Sequence, residues 1–137
     1  MIIEERILGV DYGKKRIGLA LTDPLHTFAY AYKTIPNDKK LWINFKNIIN
    51  EKKVSLVILG MPNVKKNKVL ANIILSFKDK IEKNFNTDVI IWDEEFTSVI
   101  AQKRIIESVV KKKKRQDKGL IDQNSAAIIL EEYLQSL

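Results

Sequence analysis

Short apolar runs fill the first third of the chain, and a helical period takes over after residue 36. Ile7 to Asp11 and Ile17 to Thr22 are apolar runs joined by a charged, Gly-containing connection, a pattern that predicts an antiparallel hairpin. A third strand is expected from Thr27 to Ile35, where Phe28, Tyr30 and Tyr32 alternate with other residues. Beyond Pro36-Asn37-Asp38, Leu41, Trp42, Phe45, Ile48 and Ile49 fall on one helical face, with Asn37 or Asp38 as the N-cap. Val54 to Gly60 reads as a buried parallel strand. Val69, Leu70, Ile73, Ile74, Phe77 and Ile81 mark a second amphipathic helix, and Val89 to Trp92 a further strand. Thr97 can cap a third helix carrying Ile100, Ile105 and Val109, and Ile121 to Leu134 supplies a fourth. Three antiparallel strands followed by strand-helix alternation predict an α/β fold with a mixed five-stranded sheet and helices packed on it, because parallel strands need helical crossovers.

A length of 137 residues suits one domain, spanning 1–137, and no linker or internal repeat divides it. With no Cys in the chain, disulfides, thiolate metal sites and thiol nucleophiles are excluded. Any metal would be held by oxygen ligands or by the lone His26, which beside Pro24-Leu25 reads as a loop residue. The start Met1-Ile2-Ile3-Glu4-Glu5-Arg6 is acidic where a signal peptide is basic, and no apolar run approaches the roughly 20 residues of a membrane span. A cytoplasmic location and no membrane partner are therefore expected. The net charge of +7 favours a polyanionic partner, nucleic acid above all. Lys outnumbers Arg 20 to 4, so part of that charge reflects overall composition and not a binding footprint. Lys111 to Lys118 reads as a charged loop that delivers the chain to Asp122.

Three acids stand in places where an acid is locally awkward. Asp11 ends the apolar run Ile7-Leu8-Gly9-Val10, just before Tyr12-Gly13-Lys14-Lys15-Arg16. A hairpin turn alone would explain it; so would a metal ion held against a phosphate. Glu94 lies among the consecutive acids Asp93-Glu94-Glu95 directly after a strand, where either solvation or a bound cation relieves their repulsion. Asp122 shares a helical face with Ala126, Ile129, Leu130 and Tyr133. Its carboxylate either serves the helix N-terminus or needs a positive partner. Together the three can converge on one edge of the sheet as oxygen ligands suited to Mg²⁺ or Mn²⁺. Paired ions of this kind activate water and stabilise the leaving oxygen in phosphodiester hydrolysis.

Four segments in order carry a family resemblance: Gly9-Val10-Asp11-Tyr12-Gly13-Lys14-Lys15-Arg16-Ile17-Gly18-Leu19-Ala20-Leu21-Thr22-Asp23, Val57-Ile58-Leu59-Gly60-Met61-Pro62, Asp93-Glu94-Glu95-Phe96-Thr97-Ser98, and Lys118-Gly119-Leu120-Ile121-Asp122-Gln123 followed by Ala126-Ala127 and Ile129-Leu130. In order and spacing the chain resembles the YqgF/RuvX family along essentially its whole length. The resemblance implies an RNase H-like fold of the Holliday-junction-resolvase type. It also implies a metal-dependent nuclease processing the 5′ end of pre-16S rRNA in ribosome biogenesis, with Asp11, Glu94 and Asp122 as the catalytic carboxylates and metal ligands. Arg16 and Lys118 are then suggested as phosphate contacts, with Lys15 among the nucleic-acid-binding residues and Gly13 letting the backbone approach the strand. Two departures stand out. The family usually has Asp-Glu-Arg where this chain has Asp93-Glu94-Glu95, which leaves Glu94 and Glu95 both open as the middle ligand. The family's Gly-containing loop appears here without its Gly, as Asn63-Val64-Lys65-Lys66-Asn67-Lys68.

The expected substrate is structured RNA. The alternative within the same chemistry is a resolvase acting on four-way DNA junctions, which implies a two-fold dimer where the nuclease could be a monomer. Outside that chemistry stand a nucleotide-binding module, for which 137 residues leave room for only one of the two lobes needed, and a non-catalytic ribosome-associated protein, for which basic loops would suffice. Trp42 and Trp92 are expected in the core.

Overall fold

The structure, a computed structural model, describes residues 5–62, 65–93 and 118–137. The strands are β1 (Arg6–Asp11), β2 (Arg16–Thr22), β3 (Ala29–Pro36), β4 (Val54–Met61) and β5 (Asp88–Asp93). They form a sheet in the order β3-β2-β1-β4-β5. The β1–β2 and β2–β3 pairs are antiparallel, and the β1–β4 and β4–β5 pairs are parallel. Three helices are described: α1 (Leu41–Glu51), α2 (Lys68–Phe85) and α3 (Lys118–Gln135). The helix expected after Thr97 lies outside the described residues.

Each strand presents alternate residues to two cores, the reason its apolar run is nearly unbroken. Leu8, Val10, Ile17, Leu19, Leu21, Val57 and Leu59 face α1 and α2, where Phe45, Ile48, Ile74, Phe77 and Ile81 complete the larger core. Ile7, Ala20 and Ile58 point the other way, onto Ala126, Ala127, Ile129 and Leu130 of α3. Each large apolar side chain buried this way contributes about 1.5–3 kcal/mol of transfer free energy. Trp92 fixes the far end of α3: its indole N–H donates to Glu132 Oε2 at 2.9 Å and its ring meets Tyr133 edge-on at 5.9 Å. Trp42, half-buried, packs among Phe45, Phe77 and Phe85.

Local sequence chemistry sets most boundaries, with informative exceptions. Asn67 caps α2 by accepting from the Leu70 amide at 3.0 Å, and Asn86 ends it in the left-handed conformation at φ 50°. Val69, expected on the buried face of α2, is 68% exposed, because the face that packs is Ala71, Ile74, Phe77 and Ile81. The N-cap of α1 is Lys40, neither Asn37 nor Asp38. Asp38 is occupied one turn early, accepting from the Lys40 amide at 2.9 Å, while the Asn37 side chain reaches across to the β1–β2 connection. A register shift between Leu19 and Ala20 skips Tyr32 in the β2–β3 ladder, which breaks the aromatic alternation expected there.

The third strand starts at Ala29 and not at Thr27, because the preceding residues are taken up by a turn. The Asp23 carboxylate accepts from the Thr27 and Phe28 amides at 2.8 and 2.7 Å. His26 adopts φ 56° in this turn, with its ring Nε2 2.8 Å from the Glu5 carbonyl oxygen. The Phe28 amide above all, outweighing the opposing effect of burial and assisted by the Thr27 amide, holds the Asp23 carboxyl below its ordinary value of 3.8. A carboxyl depressed in the folded state stabilises above its unfolded pKa and stops doing so as pH falls through the folded one. Asp23→Asn should therefore lower the melting temperature at pH 7, and the gap from wild type should close below about pH 4. Thermal unfolding at pH 7 and pH 3 reads this out, and an equal gap at both pH values would contradict it.

Candidate active site

The site is assembled by close packing of α3 on the backbone of two adjacent strands. A side chain at Gly9 would place its Cβ 2.8 Å from the Ala126 carbonyl oxygen and 3.1 Å from Leu130 Cβ. At Gly18 the approach is tighter still: a Cβ there would overlap the Asp122 carbonyl group and lie 2.8 Å from its Cβ. Glycine at these two positions lets the helix lie directly on the sheet. Asp11 is the cross-strand partner of Gly18. Neighbours in an antiparallel ladder share a face, so Asp11 belongs to the α3 side of the sheet, next to the residue on which Asp122 rests.

Arg16 joins them. Its Nε donates to Asp122 Oδ2 at 2.9 Å, a pair 106 positions apart in the chain. The side chains are 33% and 26% exposed, so water screens the pair and its net stabilisation is about 0–1 kcal/mol. Its consequence is positional: a guanidinium stands beside the Asp122 carboxylate at the sheet edge, within reach of solvent.

The β1–β2 connection is held from behind. Gly13 has no room for a side chain, since a Cβ would run into the Arg16 carbonyl oxygen. Its own carbonyl accepts from Asn37 Nδ2 at 2.8 Å, and the Asn37 amide donates to Lys15 O at 3.0 Å. Lys14 and Lys15 are exposed on this turn. Asn37 and Gly18 are the structural contributors that sequence reasoning assigned elsewhere or left unassigned. A Gly inside an apolar strand run was the available signal for close approach.

Asp11 ends β1 and Asp93 ends β5, and the parallel strands β1, β4 and β5 all finish on this edge. Between β1 and β4 the connections leave in opposite directions, the position at which open α/β sheets form ligand crevices. Asp11, Arg16 and Asp122 are thus brought together, with Gly13 and Lys15 on the adjoining turn. Glu94 and Glu95 lie outside the described residues, as does the side chain of Lys118, whose backbone opens α3. Among the described residues no three acidic or His side chains gather into a metal centre. The two acids that do converge offer carboxylate oxygens, a donor type that fits a hard divalent cation.

The family description RuvX, Holliday junction resolvase, matches residues 5–136. The chain belongs to the RuvX family. A relative in Parabacteroides distasonis bearing the name "Putative pre-16S rRNA nuclease" is 38% identical over 134 residues, covering 96% of this chain and 95% of its own. One of the same name in Phocaeicola vulgatus is 40% identical over 134 residues, covering 96% of each chain. Among solved structures, the fowlpox virus resolvase in complex with Holliday junction DNA superposes with a TM-score of 0.61 at 19% identity, covering 96% of this chain and 97% of that one. T. thermophilus RuvC in complex with a Holliday junction substrate gives 0.58 at 12% identity, covering 96% of each. At that identity the likeness establishes the fold. This RuvX family chain has the RNase H-like architecture, a mixed five-stranded sheet with helices on both faces. None of its described helices is long and apolar enough to cross a membrane.

Proposed function

We propose that this chain is a metal-dependent nuclease that hydrolyses phosphodiester bonds at the 5′ end of pre-16S rRNA, acting at the sheet edge where Asp11 and Asp122 converge. The observation that carries this reading is the seating of Asp122 on Gly18, the ladder partner of Asp11, with Arg16 beside it. Family membership and the name borne by relatives at 38–40% identity support the reaction class and the RNA substrate.

Asp11 and Asp122, with Glu94 or Glu95 as the third acid, would hold Mg²⁺ or Mn²⁺. Such an ion, when bound, supplies a water of lowered pKa and neutralises charge on the phosphate. The chain's own residues do the positioning. Arg16 offers a planar set of N–H donors matched to phosphate oxygens, and as the strand engages, it can exchange Asp122 for the phosphate. Lys15 adds positive charge on the adjoining turn, and Lys118 is the second lysine proposed as a phosphate contact. Gly13, pinned through its carbonyl by Asn37, presents a side-chain-free turn that the backbone of the substrate can approach closely.

Arg16→Met should weaken strand binding and reduce the dependence of log Kd on log salt by about 1, the signature of one lost phosphate contact. Affinity titrations at several salt concentrations would show it; an unchanged slope would remove Arg16 from the phosphate path.

A second reading, a resolvase of four-way DNA junctions, is favoured by the family description itself and by the junction-bound state of both resolvase structures named above. Comparing a 5′-extended 16S rRNA precursor with a mobile four-way junction, each with Mg²⁺, Mn²⁺ or EDTA, separates the two. Cleavage of the precursor alone supports the first reading, and paired symmetric cuts in the junction by a dimer support the second. Cleavage that persists in EDTA would sink the metal-carboxylate chemistry of both.

A further inference from the structure

On the opposite face of the sheet from α3, a hollow of about 270 Å³ opens between α1 and α2 against the β1–β2 connection. Its walls include Tyr12, Trp42 and Phe77. The Phe77 ring meets Tyr12 edge-on at 5.1 Å and lies against Trp42 at 5.2 Å with 34° between the planes. Phe77 is buried, whereas Tyr12 and Trp42 are each only half-buried, so aromatic surface faces the hollow. Polar groups ring it: Asn37 and Asp38 at the end of β3, and the exposed Ser76 and Lys80 of α2.

Its position matters as much as its walls. Tyr12 follows Asp11 directly, and β3 runs parallel to β1 because both are antiparallel to β2. The ends of β1 and β3 therefore lie on one sheet edge, and the hollow opens on the same edge as the candidate active site, with Tyr12 in its wall directly after Asp11. Asn37, which holds Gly13, is a wall of the hollow as well. The larger groove of about 500 Å³ between α1 and β3 is lined by Asn, Lys, Thr, Ile and Glu, with no ring to stack on.

We infer that this hollow is a nucleobase subsite that takes one unstacked base of the strand lying across Asp11. It rests on the strand path of the nuclease reading and adds a point of grip beyond the phosphates. Rings accept any base face, the polar rim offers donors and acceptors to the base edge, and Lys80 is placed for the adjoining phosphate. A volume just below the range of drug-sized pockets suits a single heterocycle.

The test measures binding of single-stranded RNA in EDTA, so no cleavage enters, with each base in turn replaced by an abasic site. Wild type should lose about ten-fold in affinity at one position of the strand and little elsewhere. Ser76→Trp, a change on the exposed face of α2 that fills the hollow, should bind the intact strand about ten-fold more weakly and show no further abasic loss. The indole N–H resonances give a second readout. Addition of a short oligonucleotide should move the signal of Trp42, while that of Trp92, already bonded to Glu132, stays in place. The same strand made fully abasic should move neither. Affinity indifferent to abasic position, or a Trp42 signal that responds equally to both strands, overturns the subsite. Cleavage without any base effect would leave the nuclease reading standing and remove the subsite; a base effect without cleavage would do the reverse.

Discussion

Asp11→Asn should lower cleavage by about 10²- to 10³-fold, the scale on which removing one preorganised electrostatic group acts, while strand affinity stays within a few-fold. Asn keeps the shape of Asp and one carbonyl acceptor, so the β1–β2 ladder at Asp11 and Gly18 has no reason to rearrange. What changes is one negative charge on the face shared with Asp122. On the proposed reading a divalent ion loses a ligand, whereas Arg16 and Lys15, the proposed strand contacts, are untouched. The variant should remain folded at the assay temperature, which thermal unfolding checks, since Asn fills the same volume at the end of the same ladder. The measurements are single-turnover cleavage and equilibrium binding on the same substrate. Activity that survives in the Asn variant would show that Asp11 is a turn residue only; binding lost along with activity would point instead to a role in holding the strand.

Gly18→Ala should destabilise the fold by about 1–3 kcal/mol, the usual cost of forcing a methyl group into a filled core. Activity should fall further than stability explains. The added Cβ would meet the carbonyl group and the Cβ of Asp122, and backbone cannot swing aside as a long side chain can. The N-terminal part of α3 would have to lift, carrying Asp122 away from Asp11. A displacement near 1 Å at a catalytic group can cost about 10²-fold. Gly9→Ala provides the comparison. Its Cβ would press on Ala126 O and Leu130 Cβ, farther along α3 from the carboxylates, so a similar loss of stability should come with much less loss of activity. Thermal unfolding beside single-turnover rates at a temperature where both variants are folded separates the effects. Equal losses of activity in the two variants would mean that seating Asp122 on Gly18 does not set the site geometry.

The hydrophobic periods made the strands and the α1, α2 and α3 helices legible to within a few residues, because period 2 and period 3.6 record which side chains meet a core. The stripe Ala126, Ile129 and Leu130 was readable in this way, and it is the surface that α3 lays on the sheet. Asp11 and Asp122 are conspicuous in the sequence, since an acid beside an apolar run is locally costly. The start of α1 was misplaced because Asn37 and Asp38 each had a good local reason to cap a helix. The structure gives Asn37 a long-range task at Gly13 and Asp38 a turn before the helix begins.

The order of the described elements, most of their buried faces and the family are thus legible in the sequence. Tertiary structure alone decided that Gly18 is the seat of Asp122, that Arg16 reaches across 106 positions to it, and that an aromatic hollow opens on the same edge as Asp11. The physical reason is one of range. Burial pattern is a property of a residue and its near neighbours. The meeting of β2 with α3, or of Tyr12 with Phe77, is fixed only when both cores close and the backbone finds the approach that side-chain volume permits.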